Sequence, residues 1–148
     1  MQEIDFEDKK TSLSAETFSA FQRNIKDAFK NYKTGELTIN QDVIKNGNLA
    51  YVSLTKDENN TVNLSLRWNV DSNNPIKANT DYRIAYLPQE FRPAVNFVYG
   101  GARAESPYGN ATFVIAKEDG RIVITASQVS KIIAISATFK AQGGIEVW

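Results

Sequence analysis

The chain of 148 residues contains no histidine and no cysteine, and these two absences exclude more than any motif asserts. Without them there is no imidazole general base, no thiolate nucleophile, no disulfide, and no zinc site built from Cys or His ligands. Charge of one sign is missing as well: 17 basic residues meet 17 acidic ones, and the balance is even on both sides of position 34. No basic face is implied by count, so nucleic acid is not an expected partner. Long apolar runs are also absent, the longest being about five to six residues against the roughly 20 that a membrane-spanning helix needs. No membrane insertion is expected. Met1 is followed by Gln-Glu-Ile-Asp rather than by a basic and then apolar leader, which predicts no signal peptide and synthesis in the cytoplasm.

What is present falls into two textures that meet near Gly35. In the first, Phe18, Phe21, Ile25, Ala28, Phe29 and Tyr32 recur at steps of three and four, with polar residues between them. The spacing predicts an amphipathic helix over about Ala15 to Tyr32. Ser14 would be its N-cap, Leu13 and Phe18 a hydrophobic staple, and Lys30, Lys33 and Gly35 its stop. Phe18, Phe21, Ile25, Ala28 and Tyr32 fit a and d positions over two heptads, so they form either a seam between chains or a face packed on the chain's own sheet.

From Glu36 onward the period is two. Leu37 to Ile39, Leu49 to Leu54, Val62 to Trp68, Tyr82 to Leu87, Val95 to Tyr99, Ala111 to Ile115, Arg121 to Thr125 and Ile132 to Phe139 read as strands, with Ile145 to Trp148 as a further one. Turn signals separate them, Asp119-Gly120 being the sharpest and reading as a tight type I′ hairpin. The expected fold is mainly β: an antiparallel, jelly-roll-like β-sandwich of about eight strands with one N-terminal α-helix. Residues 1–34 form the lead-in and helix, and residues 35–148 the β-sandwich head. Val62, Leu64, Leu66 and Trp68 share the core face of one strand. The run Ile132 to Phe139 has little polar interruption and is expected to be covered on both faces.

The segments Leu87-Pro-Gln-Glu-Phe-Arg-Pro-Ala94, Val95 to Tyr99 and Phe113 to Thr125 resemble the C-terminal head domains of baseplate and tail-tip proteins of siphophages infecting Gram-positive bacteria, receptor-binding proteins among them. Lys10 to Phe21, with Ile25-Lys-Asp-Ala28 after it, resembles a segment near the start of phage tail and baseplate proteins. The resemblance spans about residues 10–32 and 85–140. It implies a homotrimer of β-sandwich heads at the tail tip of a virion, with the helix as trimerisation and attachment element. Its partners would be other phage tail or baseplate proteins and a host cell-wall saccharide. Pro88 and Pro93 are expected to hold Leu87 and Arg92 extended, Phe91 to plug the end of the sandwich, and Arg92 to pair with Glu90 or an interfacial carboxylate.

Saccharide recognition needs aromatic rings for the apolar sugar faces, and amides, carboxylates and guanidinium groups for the hydroxyls. Tyr99, Arg103, Glu105, Tyr108 and Asn110 supply that mixture on what reads as a Gly-rich loop, and are the candidate saccharide-binding residues; a structural loop is the competing reading. Catalysis by a carboxylate pair would have to draw on scattered acids: Asp57, Glu58, Asp71, Asp81, Glu90, Glu105, Glu118 and Asp119. These sit in turn-like segments, so no catalytic residue is assigned and no enzyme activity is expected. Asp57 to Asn60 and Asp71 to Asn74 concentrate oxygen atoms without the spacing of a calcium loop, so neither metal nor cofactor is expected. Three functions follow for testing: a non-enzymatic tail-tip protein binding a cell-surface saccharide, a purely structural baseplate or tail-fibre component, and a small polysaccharide-cleaving enzyme.

Overall fold

The computed structural model describes residues 33–105 and 110–142, apart from the side chain of Glu105. The helix expected over Ala15 to Tyr32, its seam residues Phe18, Phe21, Ile25, Ala28 and Tyr32, Tyr108, and the strand expected at Ile145 to Trp148 all lie outside the described residues. The chain divides into two units, Met1–Tyr32 and Lys33–Trp148.

The second unit is built of nine strands: β1 (Lys33–Thr34), β2 (Thr38–Ile39), β3 (Asn48–Lys56), β4 (Thr61–Asn69), β5 (Asp81–Tyr86), β6 (Phe97–Glu105), β7 (Asn110–Ala116), β8 (Arg121–Ala126) and β9 (Ile132–Lys140). All are paired antiparallel in the order β1-β3-β4-β9-β6-β7-β8-β5-β2. The two edge strands, β1 and β2, are consecutive in the chain and separated only by residues 35–37. Four extended peptide steps reach about 14 Å, so the edges of the sheet are held close together and the sheet must curl. The result is a curled half-barrel.

The mainly β, antiparallel character is as the sequence predicts. Where the sequence suggests a sandwich of about eight strands, one ladder runs through all nine. The link between its two wings is a corner: β6 pairs with β7 over Phe97 to Arg103 but with β9 only over Arg103 to Glu105. At its other end β9 is held by a Pro93 to Ala141 bridge and by Ala94 N–H donating to Lys140 O. Alternation along a strand sets which side faces inward. It says nothing about whether two wings share a hydrogen-bonded corner.

The core lies inside the curl. Val62, Leu64, Leu66 and Trp68 of β4, with Ile133 and Ile135 of β9, meet Ile84 of β5, Phe113 and Ile115 of β7, and Ile122 and Ile124 of β8 in one cluster. Each such side chain contributes about 1.5–3 kcal/mol of burial free energy. Outward positions alternate with these. On β9, Ser136, Thr138 and Lys140 are exposed, which corrects the expectation that both faces of this strand are covered. Three elements have no counterpart in the sequence reading, because each is too short to show a period: β1, the single helical turn α1 (Gln41–Ile44) capped by Asn40 Oδ1, and the 3-10 turn Gln89–Phe91.

The proline-framed segment follows expectation at the Arg92 backbone and at Phe91, but Gln89–Phe91 form a short 3-10 turn and the Arg92 side chain goes elsewhere. Pro88 and Arg92 are extended and Phe91 is buried at the end of the core. Arg92, however, donates to the carbonyls of Leu87 (3.2 Å) and Glu118 (3.4 Å), while the Glu90 carboxylate faces Lys33 and Lys56. The β7-β8 turn also departs from type I′. Gly120 has φ +74°, and Asp119 is not in the left-handed region; its carboxylate instead accepts from the Arg121 backbone N–H at 3.1 Å.

Among the described residues no helix is long and apolar enough to cross a membrane.

Candidate functional site

The segment read as a Gly-rich loop is mostly strand. Tyr99 to Glu105 continue β6, so Tyr99 and Arg103 stand on the outer face with Phe97 and Gly101, one position in two. Gly100 faces inward, where the Phe113 ring lies against its backbone and an added Cβ would strike it. Its neighbour Gly101 opens outward with nothing near, leaving a gap on the outer face. The strand can carry two glycines in a row because one ring occupies the space of the missing side chain.

Register then assembles the outer face across the wing. Tyr99 stands beside Val114, and Val114 beside Val123; Gly101 stands beside Thr112, and Arg103 beside Asn110. Tyr99 is 70% exposed and Phe97 44%, with ring centroids 6.1 Å apart. Of the five candidate saccharide-binding residues, Tyr99, Arg103 and Asn110 are therefore brought onto one exposed face. Asn110 is tied to the corner of the wing, its N–H donating to Ser127 Oγ at 3.0 Å. Glu105 lies at the register position opposite Ile132. Tyr108 is outside the described residues.

The Phe97 end of this face sinks into a hollow of about 530 Å³ lined by Asn96, Phe97, Ala116, Lys117, Glu118, Arg121 and Gln142. Three hydrogen bonds shape it. Lys117 N–H donates to Asn96 O at 2.9 Å, Gln142 Nε2 donates to Lys117 O at 3.3 Å, and Gly120 N–H closes the turn onto Ala116 O at 3.0 Å. Arg121 is held by Asp119 at 3.1 Å, with Glu118 at 3.9 Å. Burial, the largest single influence on the Asp119 carboxyl, raises its pKa, but the backbone N–H and guanidinium of Arg121 together outweigh it and the net shift is downward. An aromatic ring thus borders amide, guanidinium, carboxylate and ammonium groups in one concavity. Sequence reading missed Asn96, Phe97, Arg121 and Gln142 as site residues, since they come from three separate segments. The one signal available was that Phe97 and Tyr99 share a strand face.

The aspartates of the β3-β4 and β4-β5 connections, and Asp81, are taken up by nearby donors. Asp57 Oδ1 accepts from Asn59 N–H (2.8 Å) and Thr61 N–H (3.0 Å). Asp71 accepts from Asn73 N–H (2.9 Å), Asn74 Nδ2 (2.7 Å) and Asn46 N–H (3.3 Å), and the Asn73 and Asn74 donors lead in holding its carboxyl below the ordinary carboxylate value. Asp81 accepts from Thr125 Oγ1. The two oxygen-rich turns therefore direct carboxylate oxygens at N–H donors, and no group of three acidic side chains able to hold a metal occurs among the described residues. No protein-family model matches this chain, and no curated protein matches it.

Proposed function

We propose that this chain is a non-enzymatic tail-tip or baseplate protein of a phage or prophage, binding a host cell-surface saccharide through the outer face of β6, β7 and β8. The observation that carries the reading is the pair of exposed rings, Phe97 and Tyr99, running out of a hollow bordered by Asn96, Arg121 and Gln142. Rings accept the apolar faces of sugars, while fixed planar groups take the hydroxyls. An open sheet face of this kind suits a polymer lying along it more than a small molecule enclosed in a cavity. In this reading the curled sheet serves as a jelly-roll-like head, Phe18, Phe21, Ile25, Ala28 and Tyr32 form the seam of a homotrimer, other tail proteins are neighbours, and the virion tail tip is its location.

The test has two arms. Titration of host cell-wall polysaccharide should show binding that falls roughly tenfold or more in Phe97→Ala/Tyr99→Ala, and light scattering should give a mass near three times 16.5 kDa. Unchanged affinity in the double variant overturns the assignment of the face. A trimer that binds no saccharide favours the structural-component reading, for which the same apolar strip, extended by the exposed Val95, would be a contact with another tail protein. A stable monomer removes the trimer.

A further inference from the structure

At one end of the curl the β4-β5 connection, the β8-β9 connection and α1 gather into a mouth. They border an open groove of about 740 Å³ that shares no lining residue with the hollow beside Phe97. The volume lies within the range of small-ligand sites, and the mouths of curled and closed β-sheets are one of their usual places. One wall is apolar: the Tyr82 ring, Ile76 and the exposed Val129. The rim carries Lys45 and Lys77 with the Asp42 carboxylate, and the Asp71 carboxylate, which also feels Lys45, stands behind Asn74 and is taken up by N–H donors. Lys45 Nζ rests on Asn74 Oδ1 at 3.3 Å, a neutral acceptor, and Lys77 has no carboxylate partner among the described residues.

The wall is rigid where it needs to be. The Tyr82 hydroxyl accepts from Lys77 N–H at 2.6 Å, which fixes both the ring and the backbone that carries the lysine. Behind Tyr82, at 5.9 Å between centroids, lies Trp68, whose indole N–H is buried with no hydrogen-bond partner among the described residues.

From these features we infer that the mouth is a second binding site, for a small ligand with one apolar ring face and one carboxylate. The ring face lies on Tyr82 and Val129, and the carboxylate is taken by Lys45 and Lys77. Two sources share that chemistry, a sugar acid and an aryl carboxylate. The site does not depend on the saccharide reading of the outer face.

The experiment follows the Trp68 indole N–H signal, assigned with Trp148→Phe, and the Tyr82 ring signals by NMR. The ligands are glucuronate and 4-hydroxybenzoate, with methyl glucoside and 4-hydroxybenzamide as their uncharged counterparts. At least one carboxylate should give a saturating shift at both residues, with the uncharged counterpart roughly tenfold weaker. Which of the two saturates names the source. Lys45→Gln/Lys77→Gln should weaken binding by a similar factor with the remaining amide signals unmoved, and Lys45→Arg/Lys77→Arg should retain it. Should the double glutamine variant not fold, Lys77→Gln alone carries the same comparison. Asp42→Asn should tighten binding roughly twofold, because it removes a like charge from the rim. Phe97→Ala/Tyr99→Ala should leave these shifts unchanged. Absence of saturation with both carboxylates, equal binding of the uncharged counterparts, or indifference to the lysine changes overturns the inference.

Discussion

The two wings of the sheet are built from the same material inside and from different material outside. On the wing of β1, β3, β4 and β9, the outward positions Asn63, Ser65, Arg67 and Asn69 of β4 lie beside Thr138, Ser136, Ala134 and Ile132 of β9. Asn63 accepts from Thr138 Oγ1 at 2.7 Å, and Arg67 Nε donates to Asn69 Oδ1 at 2.9 Å. Its exposed aromatic, Tyr51, sits at a bulge in β3 and has the Arg67 guanidinium 5.7 Å from its ring. On the wing of β6, β7, β8 and β5, the equivalent positions hold Phe97, Tyr99, Val114 and Val123. Stability asks nothing of an outer face beyond solubility, and the first wing supplies that. The first wing's Tyr51 stands under Arg67, whereas the second wing sets two rings side by side, Phe97 and Tyr99, next to ordered polar groups, which supports the binding role proposed for its outer face.

The inner faces should resist being told apart. Trp68 belongs to the first wing and Phe113 to the second, yet both bury in one cluster. Trp68→Ala and Phe113→Ala should each cost about 3–5 kcal/mol. Each should also lower hydrogen-exchange protection in β4 and β8 alike, since one core gives one transition. Protection retained in the untouched wing would make the wings separate folding units joined at a hinge.

Outside, the wings should separate cleanly. Asn63→Ala/Ser65→Ala on the first wing should leave polysaccharide affinity unchanged and move stability by no more than about 0.5 kcal/mol. The same titration that loses roughly tenfold in Phe97→Ala/Tyr99→Ala supplies the contrast. Equal losses on both wings would mean that the sugar reads the sheet generally, or not at all.

A smaller contrast sits within β6. Gly100→Ala would drive a methyl group into the Phe113 ring and should cost about 1–3 kcal/mol as the core shifts. Gly101→Ala meets open space at the next residue and should gain about 0.5 kcal/mol, because alanine loses less backbone freedom on folding. Urea midpoints of the two variants moving in opposite directions would establish that β6 needs one of its glycines for packing.

Much of this was legible beforehand. Alternation in Val62 to Trp68 and in Phe113 to Thr125 placed those strands within a residue or two, because one side of each faces the core and the other faces solvent. The stretch Tyr99 to Glu105 reads as loop in the sequence because Gly100 and Gly101 carry no side chains to alternate, and the ring that completes the pattern, Phe113, is a dozen residues away. Residue type alone points to Tyr99, Arg103 and Asn110, and strand register sets them on one face. The hollow at Phe97 was out of reach, since Asn96, Arg121 and Gln142 converge only when β6, the β7-β8 turn and the end of β9 have come together.

The slightest expected difference concerns two turn aspartates, Asp71 in the β4-β5 connection and Asp119 in the β7-β8 turn. Both carboxyls lie below their ordinary value in the fold, so each stabilises the protein above the unfolded value of about 3.9 and loses that contribution as pH falls through the folded value. At Asp71 the leading influences are the Asn73 N–H and the Asn74 amide, which act in the same direction. At Asp119 the leading influence is burial, which opposes the Arg121 contacts. Asp71→Asn should therefore lower the urea midpoint at neutral pH and flatten its decline below about pH 4, with wild type and variant converging in acid. Asp119→Asn should do the same to a lesser degree, because part of what its partners provide is already offset by desolvation. If Asp119→Asn flattens the acid limb more than Asp71→Asn, the guanidinium of Arg121 outweighs a set of backbone and amide donors. The β7-β8 turn beside the hollow would then be the more strongly fastened of the two.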